Sequence, residues 1–249
     1  CVERRDGLPR HLAAAVEGIA QLNHRHGPAP GGERFLILHR RRIWTESEGR
    51  WIGWERKRGK LHELNRLLRG ASETTFMQSD GQPPTVPSGV RYVVTLDADT
   101  KLPRDTVRRL IGKMAHPLNQ ARFDAKQGRV VDGYGIMQPR VTPSLPVGWQ
   151  GSEFQRIYSA SRGIDPYVFT VSDVYQDLFG EGSFAGKGIY DVDAFEAALQ
   201  QKIPENAMLS HDLFEGIYGR AALVTDIALY EEYPARYLVY AQRLRRWIR

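Results

Sequence analysis

The stretch VRYVVTLDADT, Val90 to Thr100, decides how this chain is read. Its first seven residues are mostly apolar or β-branched, the composition of a buried strand, and its last four are turn formers. A strand ending in Asp97-Ala98-Asp99-Thr100 puts two carboxylates at its carboxyl end, the edge where open α/β sheets bind ligands. Pro103 then suits the first turn of a helix over 104–115.

Elements of the same two kinds spread outward from it. Upstream, His11 to Asn23 repeats apolar residues at helical spacing, Phe35 to Leu38 is an apolar run of strand length, and Lys60 to Arg69 is helical up to Gly70. The Ser, Thr, Pro and Gly of Ala71 to Gly89 spell a loop. Downstream, strands are expected at 134–141, 184–190 and 222–229. Helices are expected at 152–160, 192–200, from a Ser210 cap through Tyr218, and over a basic terminal segment from Ala235 to Ile248. Strands alternating with helices predict an α/β fold with a mixed, mainly parallel sheet flanked by helices, in one domain over 1–249. No repeat of any period argues for a solenoid or propeller.

Composition narrows the function classes. The chain has 249 residues, 41% hydrophobic, with one cysteine, so it is neither a disordered nor a disulfide-stapled chain. No run of roughly 18 apolar residues occurs, and residues 1–10 do not lead into a signal peptide. A soluble chain in a reducing, cytosolic setting is the expectation. The net charge of +6 is uneven: 15 basic against 8 acidic over 1–70 (+7), 15 against 21 over 71–235 (−6), 5 against 0 over 236–249 (+5). That layout suits nucleic acid, or equally an acidic centre with a phosphate-facing or membrane-facing rim.

Five places could carry chemistry. Asp97 and Asp99 can share one hard divalent cation, Mg²⁺ or Mn²⁺, which would hold a diphosphate; as turn residues they also have a purely structural use. Asp212, in Ser210-His211-Asp212, stands in a first helical turn, where the dipole keeps a carboxylate ionised and able to accept a proton. His211 beside it could be an acid, a base, a ligand or a structural residue. Arg243, Arg246 and Trp247 combine phosphate-gripping guanidinium groups with a flat apolar face, on a helix that would equally suit an anionic membrane. Arg56-Lys57-Arg58-Gly59-Lys60, placed just ahead of a helix, suits an anion. Gly180 and Gly182, with Gly186 and Gly188, form a loop that lets backbone approach a ligand.

Taken in order, Lys57 to Lys60 before Asn65, strand then Asp97-x-Asp99, the glycine loop, His211-Asp212 and Arg246-Trp247 resemble inverting glycosyltransferases of the GT-A fold. The longer strings GWERKRGKLHELNRLLRG, TLDADTKLPRD, GKMAHPLN, GYGIMQPRVTPSLP, SDVYQDLFGEGSFAGKGIYDVDAFEAAL and LSHDLFEG are similar to the glycosyltransferase domain of bacterial cyclic β-1,2-glucan synthases, glycosyltransferase family 84.

The resemblance implies a Rossmann-like GT-A fold and transfer of glucose from UDP-glucose to a growing β-1,2-glucan. By position it implies that Asp97 and Asp99 bind the divalent metal and the donor, that Asp212 is the general base, and that Lys57 lies near the nucleotide. Gly180, Gly182, His211 and Arg243 are expected on the substrate side, and Arg246 with Trp247 correspond by position to the Arg-Trp of a Q-x-x-R-W motif; His211-Asp212 stands where related synthases often carry Glu-Asp, so no family role transfers to His211. Arg243 occupies the Gln position of that motif and Gln242 lies one residue early. The domain is expected to be cut from a longer protein, without its first nucleotide-binding strand and following membrane segments. That protein would hold it on the cytoplasmic face of the inner membrane, with no nucleic acid as partner.

Two rival readings stay open. VVTLDADT also satisfies the D-x-D-x-T of a haloacid-dehalogenase-like phosphatase, with Asp97 as nucleophile. A non-enzymatic basic module would use residues 1–70 and 236–249 on nucleic acid or a membrane surface.

Overall fold

The computed structural model describes residues 10–77, 83–144, 151–159, 170–200, 202 and 211–248, except the side chains of 170–173 and 246–248. It divides after Val90 into two compact units.

The first unit opens with α1, Arg10–His26, about one turn longer in all than the His11 to Asn23 that the apolar spacing predicts. No strand forms over Phe35 to Leu38; the pairing sits just beyond it, where Met77 N–H donates to His39 O at 2.7 Å and Arg41 N–H to Thr75 O at 2.8 Å. Ile43–Thr45 (β1) and Arg50–Ile52 (β2) then form an antiparallel hairpin that the sequence reading lacked. Its turn closes on Gly49 at φ 61°. The helix expected from Lys60 starts earlier, as α2, Arg56–Leu68. The basic run is therefore the helix's first turn rather than a lead-in to it. The chain enters that helix with Glu55 and Arg56 both at positive φ, and a Cβ on Gly59 would lie 2.1 Å from Trp54 O, so only glycine fits this entry.

The second unit is built on a five-stranded sheet. Tyr92–Thr95 is β3, Thr100–Lys101 is β4, Ile136–Ser144 is β7, Gly188–Asp191 is β8 and Ala221–Glu232 is β9; β5 (Arg122–Asp124) and β6 (Arg129–Asp132) form a separate hairpin. The sheet order is β3-β8-β7-β9-β4. Among the described residues only β7 and β9 run parallel; the other three neighbouring pairs are antiparallel. The sheet is mixed, as expected, but its neighbouring strands pair mainly antiparallel rather than mainly parallel. The reason lies in β8: it starts beside the end of β3, with Gly188 opposite Thr95, and so must run back towards Tyr92, opposite Asp191. Local alternation of strand and helix carries no information about that direction.

The central strand β7 contains two prolines, which cannot donate to a ladder. At Pro139 the register with β9 jumps from Val224 to Ala228, a bulge that leaves Thr225 and Asp226 exposed while Ile227 turns inward. Below the sheet lies α3, Thr106–Met114, whose Leu110 and Met114 pack with Met137, Ile189, Ala222, Val224 and Ile227 into the core.

The remaining helices are α4 (Glu153–Tyr158), α5 (Thr170–Phe179), α6 (Val192–Leu199), α7 (Asp212–Gly219) and α8 (Tyr237–Ile248). Ser152 caps α4 with a reciprocal box to Gln155, and the Asp191 side chain caps α6 through Ala194 N–H. Ser210, the expected cap of α7, lies outside the described residues; His211 holds the cap position. Among the described residues no helix is long and apolar enough to cross a membrane.

Candidate active site

Asp97 and Asp99 stand where the sequence reading puts them, on the turn leaving β3 towards β4. Thr100 ties this turn twice, its N–H donating to Asp97 O at 3.1 Å and its hydroxyl accepting from Asp97 N–H at 3.2 Å. Glu231 joins them from β9, directly opposite Thr100 on β4. One carboxylate oxygen from each of Asp97, Asp99 and Glu231 falls within 4.8 Å of the others. Three hard oxygen donors at that spacing fit a divalent cation such as Mg²⁺ or Mn²⁺.

Two cations already face these acids. Lys187 Nζ lies 2.8 Å from Glu231 Oε1 and 3.2 Å from Asp97 Oδ2. Arg243, on α8, reaches Asp99 Oδ2 at 3.5 Å and Glu231 Oε2 at 3.4 Å. Glu231 is only 4% exposed, Lys187 9%. Burial alone would lower the Lys187 ammonium, but Glu231 and Asp97 outweigh it and hold its pKa above the ordinary 10.5. The ring of five side chains carries a formal charge of −1, three carboxylates against two cations.

Asp212 approaches the same ring through backbone. It opens α7, whose Gly216 and Gly219 leave room for close neighbours: a Cβ on Gly216 would meet Phe184 at 3.0 Å, and one on Gly219 would meet Ile136 at 2.7 Å. With the helix pressed onto the loop at Phe184, the Asp212 carboxylate comes to rest on Gly186, where a Cβ would lie 2.9 Å from Oδ1. The Gly186 carbonyl accepts from Thr95 Oγ1 at 3.2 Å, so the loop beneath Asp212 is fastened to the end of β3. His211 is buried behind it.

The other expected residues fall elsewhere. Gly180 terminates α5 at φ 67°, and its carbonyl accepts from Tyr134 Oη at 3.2 Å. Gly182 N–H donates to Ala221 O at 2.7 Å, at the start of β9, whereas Glu231 is near the far end of that strand. The part of the loop that reaches the carboxylates is Gly186-Lys187. Lys57 is a half-buried member of the first turn of α2, in the first unit. Its neighbours have local partners: Arg56 pairs with Glu48 at 2.7 Å, and Arg58 with Glu55 at 3.3 Å. Arg246 and Trp247 follow Arg243 on α8, their side chains outside the described residues.

The sequence reading missed Lys187 and Glu231. Both carried a signal. Along β9 the inward positions are Ile227, Leu229 and Glu231, a charge in an apolar register, and Lys187 is the one cation between Phe184 and Tyr190.

Over 238 residues, 96% of its length, the chain is 58% identical to the cyclic beta-(1,2)-glucan synthase NdvB of Rhizobium meliloti (strain 1021). The chain is homologous to part of a glucan synthase. It spans about 8% of that protein's length. No protein-family model matches it. The resemblance of the longer strings to a cyclic β-1,2-glucan synthase is thus shown across nearly the whole chain, and Asp97, Asp99 and Glu231 lie inside the homologous stretch.

Proposed function

We propose that this chain is the glucosyltransferase part of a cyclic β-1,2-glucan synthase, a GT-A-type unit that moves glucose from UDP-glucose to a growing β-1,2-glucan. The observation that carries the reading is the meeting of Asp97, Asp99 and Glu231 in one ring within a stretch 58% identical to such a synthase. The similarity also favours a transferase over a phosphatase acting through Asp97.

UDP-glucose is an α-glycosyl diphosphate and the product is β-linked, so one in-line displacement suffices. The acceptor hydroxyl oxygen forms a bond to the anomeric carbon as the bond from that carbon to the diphosphate oxygen breaks. Asp212 takes the hydroxyl proton, and UDP leaves with the bonding electrons. Asp97 and Asp99, with Glu231, would hold a divalent metal, which when bound supplies positive charge to the departing diphosphate. By the resemblance, Arg246 would add charge on the same group and Trp247 would stack on the acceptor glucan. Membrane attachment, at the cytoplasmic face of the bacterial inner membrane, comes through the rest of the full-length protein.

In the full-length protein, Asp212→Asn should lower glucose transfer by at least about 100-fold and leave Mn²⁺-dependent UDP binding unchanged. Asp99→Asn should weaken that binding. Normal transfer by Asp212→Asn removes Asp212 from the mechanism, and uridine nucleotide binding indifferent to Mn²⁺ sinks the metal-assisted reading.

A further inference from the structure

Of the two most buried charges beside the site, Lys187 has no part in the proposed mechanism and Glu231 has only its place among the metal-holding carboxylates. Lys187 and Glu231 are 9% and 4% exposed, and taking two charges out of water is costly enough that net stability is a poor reason to keep them. Their placement suggests a different one. Glu231 alone gathers three elements: Oε1 accepts from Lys187 at 2.8 Å and from Thr100 Oγ1 at 3.3 Å, and Oε2 from Arg243 at 3.4 Å. Those partners come from the glycine loop, from the turn that carries Asp97 and Asp99, and from α8.

Lys187 in turn stands between two glycines with little freedom. On one side Gly188 is paired with Thr95, and its missing Cβ would fall 2.2 Å from Met137 O. On the other, Gly186 accepts from Thr95 Oγ1 and carries the Asp212 carboxylate on its bare Cα. The ammonium group thus sets the height of the loop against Asp97, and the loop sets the position of Asp212.

We infer that the buried Lys187–Glu231 pair is the positioning element of this site, holding the Gly186 loop, and with it Asp212, in fixed register to Asp97 and Asp99. The inference rests on the proposed roles of Asp97 and Asp212. Lys187 acts through the loop rather than on the reacting atoms, and Glu231, beside its place among the metal-holding carboxylates, is the anchor to which Lys187 is tied.

The test uses the full-length protein with Lys187→Met and Lys187→Arg, since Glu231 keeps Thr100 and Arg243 in both. Lys187→Met should lower kcat for UDP-glucose by about 100-fold, the scale of a misplacement of about 1 Å. KM for UDP-glucose should stay within about threefold, and Lys187→Arg should recover most of the loss. Hydrogen exchange over 184–188 should quicken in Lys187→Met while the 122–132 hairpin keeps its protection. A rise in KM with kcat unchanged would make Lys187 a donor-binding cation and overturn the inference. So would unchanged exchange over 184–188 in the folded Lys187→Met protein. If the wild-type protein does not turn over UDP-glucose, the proposed function fails by itself, and the exchange measurement still decides whether Lys187 holds the loop.

Discussion

Each compact unit buries an ion pair, and the two pairs end in different places. In the first unit Arg40 Nε lies 3.2 Å from Glu63 Oε2, with both side chains under a tenth exposed. The remaining Arg40 donors go to the carbonyls of Trp54 at 2.9 Å and Arg56 at 3.1 Å, and Glu63 Oε2 accepts from Thr75 N–H at 3.1 Å and Thr75 Oγ1 at 2.7 Å. Among the described residues the contacts of this network end in backbone or a hydroxyl, which ties the fold together. In the second unit Lys187 and Glu231 pass their contacts on to Asp97 and, through Arg243, to Asp99, whose side chains are 39% exposed. The same chemistry, closed in one case and open-ended in the other, separates a structural lock from a site.

The sharpest way to break this contrast is to unpair the closed network. Arg40→Met leaves Glu63 buried with only hydroxyl and amide partners, and should cost about 3–5 kcal/mol in the first unit. Chemical denaturation measures the loss, and amide exchange at 39–41 and 75–77 localises it. A loss under about 1 kcal/mol would mean that the pair is no lock. Gly186→Ala acts on the open site with a smaller structural effect. Its φ of 77° strains any L residue, but the group in the way is the end of the Asp212 side chain rather than backbone. Stability should fall by about 1 kcal/mol while transfer falls far more, because the displaced group is the proposed base. Equal activity in wild type and Gly186→Ala would show that the loop does not carry Asp212.

How much of this was legible follows from range in sequence. The strand into Asp97-x-Asp99, the helix after Pro103 and the start of α7 at Asp212 depend on residues within a few positions of each other, and all three stand in the structure. The direction of β8 depends on Gly188 meeting Thr95, 93 positions away, and no local pattern encodes that. Phe35 to Leu38 has strand composition, yet the pairing was taken by His39 and Arg41, where Thr75 and Met77 offer partners. Glu231 was hidden differently: its alternation with Ile227 and Leu229 marks it as inward-facing, but only the fold shows that Lys187 and Arg243 wait there.

A third ion pair, fully at the surface, sets the lower end of the scale. Asp226 stands on the β9 bulge between Arg109 Nη2 at 2.9 Å and Lys113 Nζ at 3.2 Å, all three side chains well exposed. Burial alone would raise its pKa, but Lys113 first, then its own backbone and Arg109, hold it below the ordinary 3.8. A carboxylate with a lowered folded pKa contributes stability above its unfolded value and loses it as pH falls through the folded one. The difference between wild type and Asp226→Asn should therefore be flat from neutral pH down to about 5 and vanish below the ordinary carboxylate range. Solvent screening at a half-exposed site limits it to about 0.5 kcal/mol, less in high salt. A loss of about 2 kcal/mol would mean that Asp226 anchors the bulge. The register argues otherwise, because the jump falls at Pro139, whose missing N–H breaks the ladder whatever residue stands opposite.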